Sequence, residues 1–287
     1  MIARDPGELE VVPRAVAIGT FDGVHRGHRA VLDAAAAAGL RTTAVTFDPH
    51  PRIVLGHEVE LLSTLERRLE LLSGAGAEDI LVVPFSTETA ALVPEAFVEA
   101  FLTRIGTRAV AAGADFRFGH RRAGDLDLLR SLGLDVRAVP LVDGISSSGI
   151  RSLVHAGDVD AAAALLGRPV EVDGVVVDGD HRGTGLGFPT ANLDVDARLL
   201  VPGHGIYAGA VGDARAAISI GVNPHYGGTA RRIEAFLLDW SGDLYGRRLV
   251  VEVWRRLRDE QAFESEAALV EQIARDVEET RAATRPA

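Results

Sequence analysis

The chain contains no cysteine and a single methionine, and aromatic residues make up only 5% of it. Without cysteine there is no disulfide, no thiolate metal centre and no sulfur nucleophile, so any metal must sit on oxygen or imidazole ligands. Lysine is absent too, all 30 basic residues being arginines. A Gly-x-x-x-x-Gly-Lys phosphate loop is thereby excluded, and the absence reads as a composition bias rather than a mechanism. No apolar run reaches the roughly 20 residues needed to cross a bilayer. The opening Met1-Ile2-Ala3-Arg4-Asp5-Pro6-Gly7-Glu8 lacks the apolar stretch of a secretory leader. A cytoplasmic location without membrane contact is the expectation. A net charge of −11 argues against a general nucleic-acid partner, which needs a basic footprint.

What is present describes a globular chain able to bury a sizeable core: 287 residues, 47% hydrophobic and 25% charged. That length suggests about two domains. Short aliphatic runs at 15–18, 42–47, 80–84, 109–112 and 136–140 read as strands, and 65–72 and 94–102 have helical spacing. Such alternation predicts a parallel sheet that gathers ligands at its carboxyl ends. Residues 150–166 read as one or two helices broken at Gly157-Asp158 and stopped by Gly167-Arg168-Pro169. Beyond this point the rhythm changes to β-branched runs at 170–178, 205–211, 216–220, 233–239 and 249–255, as in a small antiparallel barrel. An amphipathic helix over 264–284, with Leu269, Ile273 and Val277 along one stripe, ends the chain. The expected domains are 1–166 and 167–287.

The most informative segment is Gly19-Thr20-Phe21-Asp22-Gly23-Val24-His25-Arg26-Gly27-His28, between a buried strand and an alanine-rich helix. Glycines there let backbone N–H groups approach phosphates, and the helix N-terminus adds partial positive charge. His25 and His28, three apart on the first turn, are expected on one face, aimed at the same oxygens. The plainer reading is a glycine-rich turn with two surface histidines. Three further segments fall at strand ends or helix starts: Asp48-Pro49-His50-Pro51, the run Gly113 to Gly119 with Asp115, and Ser146-Ser147-Ser148-Gly149-Ile150-Arg151. Each alone has an ordinary explanation as a stiff loop, a turn former or a helix cap.

The pattern G-x-F-D-G-x-H-x-G-H resembles the nucleotidyltransferase signature as found in the bacterial bifunctional riboflavin kinase/FMN adenylyltransferases, also called FAD synthetases. The other segments follow in that family's order. The resemblance implies a Rossmann-like nucleotidyltransferase domain in which Gly19, Phe21, Asp22, Gly23, His25, His28, Asp115, Ser147 and Arg151 bind ATP. Asp48, Pro49 and His50 would then line the flavin-phosphate side. His28 and Arg151 would act in catalysis.

In the second half, Gly187-Phe188-Pro189-Thr190-Ala191-Asn192 resembles the riboflavin kinase signature, although composition alone favours a surface turn. The resemblance implies a six-stranded antiparallel kinase barrel with a terminal helix. Thr190 and Asn192 would serve Mg²⁺ and the nucleotide, Gly187 the ATP side, and Glu234 the role of catalytic base. Asn223 and Arg258 would stand on the flavin side, and Arg258 could equally stabilise the junction of barrel and helix. One departure is Gly221-Val222-Asn223-Pro224-His225-Tyr226, where the family usually has Gly-Thr-Asn-Pro-Thr-Phe. The implied activity is phosphorylation of riboflavin by ATP, then adenylylation of FMN to FAD. The alternative is a specialised relative with one half-activity or a modified flavin as substrate. Its partners would be small molecules, and the oligomeric state is left open, a homo-oligomer included.

Overall fold

The computed structural model describes residues 1–142, 144–179, 186–222 and 231–286, residues 222 and 231 by their backbone alone. They form two compact units, Met1–Val59 with Leu65–Ser146, and Glu60–Thr64 with Ser147–Ala287.

The first unit is built on a six-stranded sheet. Its strands are β1 (Ile2–Ala3), β2 (Arg14–Ile18), β3 (Arg41–Asp48), β4 (Asp79–Pro84), β5 (Thr107–Gly113) and β6 (Asp135–Val139). They lie in the order β1-β4-β3-β2-β5-β6, and every neighbouring pair is parallel. The chain winds outward from β2 through β3 to β4, then returns to the other side for β5 and β6. The winding therefore reverses between β2 and β5, and their carboxyl ends open the crevice where such sheets bind ligands.

Alternation along these strands explains why both faces are covered. Ala15, Ala17, Ala44, Ala109 and Ala111 share one face with Leu32 and Leu72, from the helices Arg26–Ala36 and Leu65–Gly74. Small side chains let those helices approach the sheet closely. Val16, Ile18, Val45 and Val110 face the other way, into a core with Phe97, Leu102, Ile105 and Leu129. A strand buried on both sides reads as one aliphatic run, which is how these were found in the sequence.

At the opposite, amino ends of the strands sits a buried ion cluster. Arg14 pairs with Asp79, while its Nε donates to the Ile105 carbonyl at 3.0 Å and its second terminal nitrogen to that of Glu10 at 2.7 Å. Arg41 holds the same carboxylate through Nε at 2.6 Å.

The second unit is a closed barrel of β7 (Val170–Val177), β8 (Ala191–Val195), β9 (Gly205–Val211), β10 (Ala214–Val222), β11 (Arg231–Leu237) and β12 (Arg248–Arg258). The order around it is β10-β11-β8-β7-β12-β9, antiparallel throughout. Its interior is filled by Val172, Val176, Leu193, Ile218, Ile220, Ile233, Ala235, Val251 and Val253. Five of the six strands coincide with the aliphatic runs seen in the sequence. The sixth, β8, begins inside the Pro-Thr-Ala-Asn segment, where Pro189, Asn192 and Asp194 mask the strand pattern.

Packing divides the chain earlier than the expected 166/167 boundary. The helices Ser147–Ala156 and Val159–Leu166 place Ile150, Val154, Val159, Ala162 and Leu166 in the same core as the barrel strands. Residues Glu60–Thr64 join them: Leu61 donates to the Arg198 carbonyl at 2.7 Å and accepts from Leu200 at 2.8 Å. The terminal helix Glu266–Ala282 buries Asp276, Val277 and Thr280, with Leu269 and Ile273 only half-buried. Among the described residues no helix is long and apolar enough to cross a membrane.

Candidate functional site

In the first unit the signature loop leaves β2 at the reversal point of the sheet. Gly19 donates to the Val45 carbonyl at 3.1 Å, and Thr46 Oγ1 to that of Thr20 at 3.0 Å, so β3 anchors the loop. The turn takes left-handed backbone at three positions, Phe21 (φ 52), Gly23 (φ 78) and Val24 (φ 37). Two of them are not glycine, and strain of this kind concentrates at functional sites.

The two histidines do not both lie on the helix. His25 is its N-cap, with Nδ1 accepting from the His28 backbone N–H at 3.3 Å, and only His28 is in the first turn. Their rings nevertheless meet face to face, 3.6 Å between centroids and 13° between planes. Phe21 packs edge-on against His28 at 5.2 Å. Gly27 makes this possible, because a Cβ there would lie 3.2 Å from the His25 ring. In neutral His25 the accepting Nδ1 carries no proton, which leaves Nε2–H as the donor. The cap was not legible because Ser, Thr, Asp and Asn are the usual cap residues.

Asp48 ends β3, and Pro49 and His50 follow it into the short helix Pro51–Val54. His50 is buried and caps that helix, its Nδ1 accepting from the Arg52 N–H at 3.2 Å. Asp115 is exposed just beyond β5, in a turn held by Ala114 donating to Val139 at 2.9 Å and Phe116 to Gly113 at 2.9 Å. The first unit thus gathers the Gly19–His28 loop, the Asp48–His50 loop and Asp115 at the carboxyl ends of β2, β3 and β5. Ser147 and Arg151 belong to the first helix of the second unit, where Arg151 Nε donates to the Glu60 carbonyl at 2.6 Å.

Sequence reasoning passed over Arg68, on the helix Leu65–Gly74. Only 1% of it is exposed, and its terminal nitrogen donates to the Phe47 carbonyl at 3.0 Å. The spacing Leu65, Arg68, Leu72 already set it on the buried helix face, and that was the available signal.

In the barrel, Asn192 on β8 stands directly across from Glu234 on β11, which in turn faces Ser219 on β10. Cross-strand partners share a face. Because Leu193, Ile233, Ala235 and Ile218 fill the interior, Asn192, Glu234 and Ser219 are on the outer face, half-buried. Phe236 is on that face too and meets Phe188 edge-on at 5.4 Å, which draws the Gly187–Thr190 segment over the strand. Arg232 stands 3.6 Å from the Glu234 carboxylate. Glu260 closes over the end of β10, where a Cβ on Gly221 would fall 2.2 Å from its Oε1.

Arg258 is turned to the terminal helix. Its Nε and one terminal nitrogen grip Asp276 at 2.9 and 2.7 Å, the other donates to the Asp259 carbonyl at 2.9 Å, and Phe263 packs against the cation at 5.8 Å. These contacts fit the junction role, the second of the two that the sequence left open. Asn223, with Pro224, His225 and Tyr226 of the divergent segment, lies outside the described residues.

A parallel sheet with a histidine–glycine loop at its reversal point, joined to a closed barrel that pairs an amide with an acid across strands, defines a two-module nucleotide-dependent transferase. Residues 10–152 match the family described as FAD synthetase, and 166–284 the one described as riboflavin kinase. The bifunctional riboflavin kinase/FMN adenylyltransferase of Listeria monocytogenes is 34% identical over 290 residues, 94% of this chain and 92% of that protein. Its counterpart from Pseudomonas fluorescens is 37% identical over 288 residues, with 94% and 92% covered. A crystal structure described as a macrolide-efflux protein of Streptococcus pneumoniae superposes with a TM-score of 0.88 at 30% identity, covering 99% of each chain. This chain belongs to the bifunctional riboflavin kinase/FMN adenylyltransferase family.

Proposed function

We propose that the motif residues of the parallel sheet carry FMN adenylylation and those of the barrel carry riboflavin phosphorylation. The two activities follow from family membership; the residue assignments are the proposal. The observations that carry it are His25 stacked on His28 at the sheet's reversal point and Asn192 registered against Glu234 on the barrel.

In adenylylation, an FMN phosphate oxygen attacks the α-phosphorus of ATP, a new P–O bond forms, and the bond to the β-phosphate breaks to release pyrophosphate. The nucleophile is already anionic and needs no general base, so alignment and charge neutralisation suffice. His25, through Nε2–H, and His28 meet the phosphates beside the backbone of Gly19, Phe21, Asp22 and Gly23. Asp115 holds the adenosine, and Asp48, Pro49 and His50 line the flavin-phosphate side.

In phosphorylation the ribityl 5′-hydroxyl is a poor nucleophile and must lose its proton. Glu234 accepts it as the oxygen attacks the γ-phosphorus and ADP leaves. Arg232 beside the carboxylate orients it. The Thr190 hydroxyl and Asn192 amide oxygen are hard donors suited to Mg²⁺ shared with nucleotide phosphates. When bound, that ion would neutralise phosphate charge. Gly187 lets the backbone approach the nucleotide, and Arg258 positions the segment from Asp259 to Phe263.

The test is a chromatographic time course of the purified chain with riboflavin, ATP and Mg²⁺. FMN appearing first and FAD after it is the expected result. FMN accumulating alone, or FAD forming only from supplied FMN, would support the single-activity alternative instead.

A further inference from the structure

Two arginines of the first unit are almost wholly buried, and they are not alike. Arg14 has its acid in Asp79. Among the described residues Arg68, 1% exposed, has one hydrogen bond, to the Phe47 carbonyl at 3.0 Å, and its Nε has no hydrogen-bond partner. A guanidinium cannot shed its proton at ordinary pH, so this is a buried cation without a carboxylate bonded to it. Such a group is costly and calls for a compensating role.

Its surroundings indicate one. The bonded carbonyl belongs to the residue before Asp48-Pro49-His50, so Arg68 fixes the backbone from which that loop departs. Asp48 and the buried Asp22 of the signature loop are the acids whose charge it feels; burial lowers its pKa, and these two raise it. Asp22 is in the signature loop and Asp48 is the last residue of β3, where the next loop begins; both loops, in the reading above, receive phosphates. Asp48 also has the exposed Arg4 at 3.9 Å, and carboxylates beside a triphosphate and a phosphate monoester repel them less when a buried cation stands behind.

We propose that Arg68 is a positioning residue for FMN adenylylation: its buried cation anchors the end of β3 and balances Asp22 and Asp48, so that the loops they occupy accept the FMN phosphate beside ATP. This rests on those loops being the adenylylation site. Arg68 reaches substrate only through them, which separates it from the residues assigned to bind phosphate.

The test compares full-length Arg68→Lys, Arg68→Gln and Arg68→Met for KM of FMN and kcat in FAD formation. Riboflavin phosphorylation by the same preparations is the reference. Gln and Met should raise the KM for FMN roughly tenfold or more, the scale of one lost charged interaction. Lys should recover to within about threefold of the parent, and riboflavin phosphorylation should be unchanged in all three. Should Met prevent folding of the first unit, Gln against Lys carries the same comparison, since both are polar and only Lys is charged. Equal KM values in Gln and Lys would overturn the inference, because packing rather than charge would then be what Arg68 supplies. A fall in kcat with unchanged KM in the uncharged variants would also overturn it. A His28→Ala variant with undiminished FAD formation would instead overturn the site reading, independently of Arg68.

Discussion

Replacing Glu234 by Gln removes a proton acceptor and its negative charge. The side chain is 19% exposed on the outer face of β11, opposite Asn192, and Gln keeps its length and shape. The contact with Arg232 at 3.6 Å, on a side chain itself 30% exposed, is a partly solvated ion pair worth under about 1 kcal/mol. The fold should therefore survive the change. A positioned general base contributes about 10²- to 10⁴-fold, or roughly 3–5 kcal/mol of barrier. Glu234→Gln should slow FMN formation from riboflavin by that factor and leave FAD formation from supplied FMN intact. Initial rates of the two half-reactions, measured on one preparation, separate these effects. A kinase rate within about threefold of the parent would refute the base assignment, since a positioned general base typically contributes about 10²-fold or more. Loss of both rates together would refute the separation of the sites.

The other expectations are shorter. His28→Ala should lower FMN adenylylation about 10²- to 10³-fold, the usual consequence of losing one donor to a developing charge, and spare riboflavin phosphorylation; retained adenylylation would remove His28 from the site. Asp79→Asn leaves Arg14 buried without its acid and should cost the first unit about 3–5 kcal/mol in thermal or denaturant unfolding, whereas a loss below about 1 kcal/mol would mean the pair is dispensable. The Arg41 hydrogen bond first, then that from Arg14, hold the Asp79 carboxyl well below the usual carboxylate range against the effect of burial. Its stabilising contribution is thus complete above the unfolded carboxylate value of about 4 and is lost as pH falls toward the folded value. Unfolding of the parent and of Asp79→Asn should converge at acid pH, and a constant gap between them would contradict this. Arg258→Met leaves the buried Asp276 with the Gln272 amide at 2.9 Å but without its cation, and should destabilise the barrel unit by about 3 kcal/mol. At temperatures where the variant stays folded, it should change the KM for riboflavin less than threefold; a larger change would return Arg258 to the flavin side.

Much of the sheet was readable because its strands are buried on both faces and appear as uninterrupted aliphatic runs. β1 was not, since the two residues Ile2–Ala3 carry no period. β8 was hidden by the polar residues of the motif it contains, and it is the strand that sets Asn192 against Glu234. The helices of 147–166 were recognised, but an apolar stripe does not say which core it faces; theirs faces the barrel. The terminal helix was read by its aliphatic stripe, while its most buried part includes Asp276, there because Arg258 meets it. The site residues of the parallel sheet were visible as motifs. Their geometry was not, because histidine is not a usual helix cap and because the carbonyl that Arg68 meets, that of Phe47, comes from another element of the chain.

The central claim is that one chain carries the two reactions on two different sets of residues. Its most direct test mixes Glu234→Gln with His28→Ala, each inactive in a different half-reaction, and supplies riboflavin, ATP and Mg²⁺. Neither variant alone should produce appreciable FAD, and the mixture should produce it after FMN accumulates. A mixture that makes no more FAD than its components, or a single variant that makes FAD at the parental rate, would contradict the account.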